Sequence, residues 1–226
     1  MLTLEEEVCY HEAGHAIVGL SYGWKLTSVA AREDGTGEAM WLRVYDGSSL
    51  LELKRKLTHA VAGEYGEGKL LDVYDNLVSR RIEAGEIGET GPFGQNDTFK
   101  SLRDAREICR RLKLKQLGQW DERKLVRRKC TSGYPSFHMT QAGLYWSCYG
   151  VQPPDVTFEE ILAEVVRAED RAARVVDKHW RAVEAVAYAL LDSPNGILTG
   201  EQVTELVDRH GLPVSVQERA RRNQDE

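Results

Sequence analysis

No two of the four cysteines form a CxxC pair; Cys9, Cys109, Cys130 and Cys148 are scattered through 226 residues. That spacing argues against a disulfide framework and a cysteine-rich metal site, and predicts reduced thiols in a cytoplasmic protein. No stretch approaches the roughly 20 apolar residues that a membrane-spanning helix needs. The opening MLTLEEEVCY has neither the basic nor the apolar region of a secretory signal, so no membrane association is expected. GxxxxGK[ST] is absent, and with it a recognisable nucleotide-binding loop. There is no internal repeat and no low-complexity segment. A net charge of −6 argues against nucleic-acid binding by bulk charge.

What is present is enough apolar content, 42%, to bury one sizeable core. Thr3-Leu4-Glu5-Glu6 reads as a capping box, predicting a helix to about Ser21 that Gly23 stops. LTSVAAR (26–32) and EAMWLRVY (38–45) are β-prone, with Asp34-Gly35 between them, and predict a hairpin or wide β-loop. Ser48 and Ser49 can cap a second helix running unbroken through LLELKRKLTHAVAGEYGEG. A short helix is expected near 70–82, then a glycine-rich loop, GETGPFGQND (88–97), then a helix from Asn96 or Asp97 to Gly118. Residues 119–156 give no clear pattern. Thr157-Phe158-Glu159-Glu160 caps a long helix, 158–191, whose apolar spacing skips near His179. Thr199-Gly200-Glu201-Gln202 caps a last one. The fold class expected is mainly α with a small N-terminal β-element, an α+β domain.

The densest chemistry is CYHEAGHAIV (9–18). On a helix, residues four apart share a face, so His11 and His15 can converge on one ion at about 2.0–2.1 Å each. Glu12 lies beside the first histidine, where a carboxylate can hold and deprotonate a water: the HExxH pattern of zinc peptidases. Two helical histidines can also be hydrogen-bonded core groups. Catalysis needs a third ligand, and the extended HExxHxxGxxH form fails, with Val18 and Ser21 in the last two slots. Glu33 and Glu38 fall in the hairpin. Asp97 is the best-placed distant carboxylate, because it opens a helix whose dipole keeps it ionised. Cys9 lies about 200° around the helix from His11 and should not join them.

HEAGHAIVG resembles the zinc-site helix of the FtsH-type metallopeptidases, proteases fused to a hexameric AAA ATPase. Three further stretches are similar to that family: AGEYGEG (62–68), GPFGQNDTFKSLRDAR (91–106) and DKHWRAVEAVAYALLDSPNGILTGEQVTELV (177–207). The resemblance implies a zincin-like peptidase domain over 1–215. Its zinc-site part would run to about residue 118 and its helical part over about 157–212, with a disordered tail at 216–226. It implies His11, His15 and Asp97 as zinc ligands, Glu12 as base, and Glu67 as an acid that orients a histidine from behind. It also implies that Ala39, Met40 and Trp41 belong to an edge strand that binds substrate by main-chain pairing. Gly63-Glu64 stands where the family has Gly-Arg, so a basic contact is expected to be lost. The family's ATPase and membrane helices have no counterpart here, which leads us to expect a stand-alone peptidase.

Residues 100–129 hold twelve Lys/Arg against four Asp/Glu, a local +8. Such a stretch can meet nucleic acid, but a solvated helix face or a subunit contact is the expectation. Tyr145 and Trp146 can pack in a core or line a partner groove. The lone His59, His138, His179 and His210 read as core or surface groups, His138 being the one spare ligand. The function expected is zinc-dependent cleavage of unfolded or flexible polypeptides, without ATP or beside a separate unfoldase. Homo-oligomerisation, as a ring or hexamer, is a further expectation from the resemblance. The competing class is a zinc-stabilised protein-binding module without catalysis.

Overall fold

The first helix, α1 (Leu4–Ser21), is buried nearly all round: from Cys9 to Leu20 every residue except His11 lies inside. A helix apolar on all faces belongs at the centre of a domain, with partners on every side. The computed structural model describes residues 4–32, 34–42, 49–72, 77–84, 97–120 and 153–212. The Thr3 cap, Glu33, His138, Tyr145, Trp146 and the tail lie outside the described residues. Gly23, at φ 77°, ends α1 in the left-handed conformation that glycine adopts without strain.

Two strands follow, β1 (Leu26–Ala31) and β2 (Gly37–Trp41), paired antiparallel with Val29 opposite Ala39. Next come α2 (Leu50–Ala60), α3 (Ala62–Leu70), α4 (Leu77–Glu83) and α5 (Asp97–Gln116). The C-terminal part adds α6 (Phe158–Lys178), α7 (Trp180–Leu191), β3 (Ile197–Thr199) and α8 (Gly200–Arg209). Among the described residues the fold is mainly helical with one small antiparallel sheet, ordered β2-β1-β3.

Three expectations are corrected. The second helix is not continuous: it breaks at Val61 (φ −92°, ψ −5°). The break lets α3 lay its glycines on α1. A Cβ on Gly66 would come within 2.6 Å of the Tyr10 carbonyl, and one on Gly14 within 2.5 Å of the Ala62 carbonyl. The long helix 158–191 is two helices, broken at His179 (φ −117°, ψ 26°), where the apolar spacing skips. The β-element is not wholly N-terminal. β3 pairs with β1, Val29 facing Leu198, so residues from near both ends of the chain share one sheet.

Local signals elsewhere match their elements. Ser49 accepts the Glu52 N–H at 3.0 Å, and Thr157 and Thr199 both form full capping boxes. The buried apolar residues form a contiguous cluster running from Cys9 on α1 to Leu212. α3 and α7 both pack against α1, while α6 packs against α5, α2 and α3. The long C-terminal helices therefore pack against the elements that carry the histidines. Among the described residues no helix is long and apolar enough to cross a membrane.

Candidate metal centre

His11 and His15 sit one turn apart on α1, their rings edge to face with centroids 4.8 Å apart. Asp97, the first residue of α5, reaches them from more than eighty positions downstream. Its Oδ2 lies 3.4 Å from His11 Nε2 and 3.1 Å from His15 Nε2, and the two nitrogens are 3.1 Å apart. Four-coordinate bonds of about 2.0–2.1 Å place neighbouring ligand atoms about 3.3 Å apart, so this triangle has the size of one face of a metal's coordination sphere. The three residues can hold a metal ion.

The hydrogen bonds behind the rings fix which nitrogen faces the triangle. His15 Nδ1 lies 2.7 Å from the His59 carbonyl, which can only accept, so Nδ1 carries the hydrogen. His11 Nδ1 donates to Glu67 Oε2 at 3.3 Å. Each neutral imidazole then turns an Nε2 lone pair inward, as metal-bound histidines do. Three acceptors at this separation repel one another unless positive charge lies among them. The electrostatics express the same demand. Burial opposes charge on His11, but Asp97 and Glu67 outweigh it and raise its pKa to about 10. Burial pushes Asp97 up, yet the neighbouring imidazoles and Lys100 hold it far below the usual carboxylate range. A proton satisfies such a cluster in part; a divalent cation satisfies all three ligands at once.

Glu12 faces the same space. Its side chain is buried, its Oε2 has no hydrogen-bond partner among the described residues, and burial raises its pKa. It lies so close to β2 that a Cβ on Gly37 would come within 2.6 Å of Glu12 Oε1. Gly63 of α3 is packed just as tightly: a Cβ there would collide with both Nε2 atoms. A cavity of about 360 Å³ opens beside these groups, lined by Glu12, His15, Asp97, Gly37, Ala39 and His59 among others.

The other residues singled out by sequence fall as follows. Glu67 sits behind His11. Ala39 lines the cavity, Met40 is exposed on the edge strand β2, and Trp41 turns inward, its ring against Gly19, Trp24 and His59. Glu38 lines the cavity and pairs with Arg32 rather than joining the ligands. Cys9 is buried away from the triangle, its thiol raised to about 11, chiefly by burial. Glu64 does meet a basic group, Arg81 at 2.6 Å, supplied by α4.

Sequence reasoning missed two contributors. His59 supplies the carbonyl that orients His15, and its ring packs on those of His15, Trp24 and Trp41 at 4.8, 5.2 and 5.4 Å. No local spacing links it to His15. Lys100 Nζ holds Asp97 Oδ1 at 2.8 Å, an i,i+3 pair that the sequence does contain but that reads as part of the basic stretch. The chain matches no protein-family model and no curated protein.

Proposed function

We propose that the protein is a zinc-dependent metalloendopeptidase that cuts unfolded or flexible polypeptides. One observation carries this reading. Three ligand atoms within 3.1–3.4 Å of one another stand beside a buried carboxylate oxygen, Glu12 Oε2, that has no partner among the described residues. A purely structural metal site has no use for that fourth group. Two imidazole nitrogens and one carboxylate oxygen suit a borderline divalent ion, and three protein ligands leave a position open, as catalytic zinc sites do. The resemblance of HEAGHAIVG and the Asp97 segment to the FtsH-type peptidases points the same way.

Bound zinc would lower the pKa of a water toward about 7 and polarise the scissile carbonyl. The chain's own residues do the rest. Glu67 and the His59 carbonyl hold the two imidazoles in the ligating tautomer. Lys100 holds Asp97 Oδ1, which presents Oδ2 to the histidines. Glu12 takes the proton of the attacking water and passes it to the leaving amine. β2, a sheet edge among the described residues, offers main-chain groups to an extended peptide, with Gly37 and Ala39 at the cavity wall. In this reading the protein is cytoplasmic, needs no ATP or works beside a separate unfoldase, and assembles into a ring of identical subunits.

The test combines metal analysis with casein cleavage by the purified protein. The wild type is expected to bind one zinc and cut casein without nucleotide. Chelation should stop cleavage, Asp97→Ala should lose the zinc, and Glu12→Gln should keep the zinc but not cut. Zinc bound with no cleavage under any condition would leave the non-catalytic binding module in its place.

A further inference from the structure

One wall of the cavity has groups that neither metal binding nor proton transfer uses. Lys56 and His59 stand three residues apart on α2, on the same face of the helix, and both line the cavity with Trp24. The His59 ring is wedged among Trp24, Trp41 and His15, and its Nε2 is a buried polar atom without a partner among the described residues. Leaving such an atom unsatisfied is unfavourable, so its persistence points to a partner that arrives from outside. Lys56 Nζ is anchored from behind by Asp104 at 3.0 Å, and the same carboxylate takes Arg103 at 3.3 Å. Asp104 thereby serves two cations.

The other charges of the lining face the candidate ligands or pair within the chain. Asp97 faces the histidines and Lys100, Glu38 pairs with Arg32, and Glu12 stands against the ligands. A ligand entering along the α2 wall therefore meets the Lys56 ammonium, which Asp104 also engages, and an imidazole, which always carries at least one ring N–H. A carboxylate accepts from the ammonium and, in the tautomer with the hydrogen on Nε2, from the imidazole. We propose that Lys56 and His59 form a substrate subsite for an acidic side chain, so that the enzyme cuts at a fixed distance from an aspartate or glutamate. This rests on the peptidase reading of the adjoining centre. Trp24 forms the apolar side of the subsite, against which the side chain's methylenes pack.

The experiment has two arms. In the first, the zinc-loaded full-length protein digests casein and the cut sites are mapped by mass spectrometry. Aspartate and glutamate are expected to be enriched at one position relative to the cut bond. Lys56→Gln should abolish that enrichment, and His59→Phe, which keeps the ring packing and the backbone carbonyl, should weaken it while leaving zinc content unchanged. On a single acidic peptide each variant should lose about tenfold in kcat/KM, mainly through KM. In the second arm, the inactive Glu12→Gln protein is titrated calorimetrically with peptides that differ only as Glu or Gln at that position. The Glu peptide should bind about tenfold more tightly, and the difference should vanish in Glu12→Gln/Lys56→Gln. Cleavage without acidic enrichment, or equal binding of the two peptides, overturns the subsite and leaves the peptidase standing. Zinc binding with no cleavage at all overturns both.

Discussion

Two buried glutamates are handled in opposite ways. Glu164 on α6, 1% exposed, is answered from within the chain: Arg167 reaches its Oε2 at 3.0 Å and Arg171 lies 3.5 Å from Oε1 while also donating to Thr58. Glu12 on α1, 5% exposed, keeps a carboxylate oxygen with no partner among the described residues, next to three further acceptors pointed at one spot. Buried charge costs several kcal/mol unless it is compensated. Around Glu164 compensation is built into the chain, and the product is stability. Around Glu12 the chain supplies none to Oε2 among the described residues, and in the proposed reading an ion and a substrate provide it.

The strongest way to break this contrast is Glu12→Gln. It should lower casein cleavage by about a hundred- to ten-thousandfold while zinc content holds and the urea midpoint does not fall. A fall in the midpoint would make Glu12 a structural group like Glu164. Next, Gly63→Ala should weaken zinc binding by about ten- to a hundredfold in a chelator competition, because its Cβ meets the Nε2 atoms of His11 and His15. Glu164→Ala should do the reverse of Glu12→Gln, costing about 2 kcal/mol in urea unfolding with the zinc affinity unchanged. Glu67→Gln sharpens the comparison further: it weakens the grip on His11 from behind, and about a tenfold loss of zinc affinity is expected with no change in cleavage preference.

The smallest effect concerns a third buried acid. Glu169 on α6 accepts the backbone N–H groups of Val78 and Ser79 at 2.8 and 3.2 Å, and its Oε2 has no partner among the described residues. Burial raises its pKa, although the Ser79 and Val78 hydrogen bonds pull the other way. A carboxyl whose folded pKa lies above its unfolded one contributes most below the unfolded value and loses that contribution as pH rises through the folded value. Wild type should therefore lose thermal stability relative to Glu169→Gln as the buffer moves from acidic to neutral. A melting-temperature difference that is flat over that window would mean Glu169 is compensated as fully as Glu164.

Some of this was legible in the chain because it depends on residues a turn or two apart. The spacing of His11 and His15 places them on one face of any helix that contains them. Thr157 and Thr199 announce their helices because a capping box closes within four residues, and Gly23 ends α1 through its own backbone freedom. The basic stretch misled about Lys100, whose neighbour three residues back is the candidate ligand it holds. The breaks at Val61 and His179 are less legible, since neither new helix opens on a side-chain cap and only the skip in apolar spacing near His179 marks one of them.

Sequence alone determined the two imidazoles, the carboxylate beside them and the helix that carries all three, because helical geometry is a short-range property of the backbone. Tertiary structure decided that Asp97 meets them at 3.1–3.4 Å. It also decided that Glu67 and the His59 carbonyl stand behind them, and that Gly37 and Gly63 leave them room. The reason is that each of those contacts joins separate elements, and only the packing of α2, α3, α5 and β2 around α1 brings them within reach.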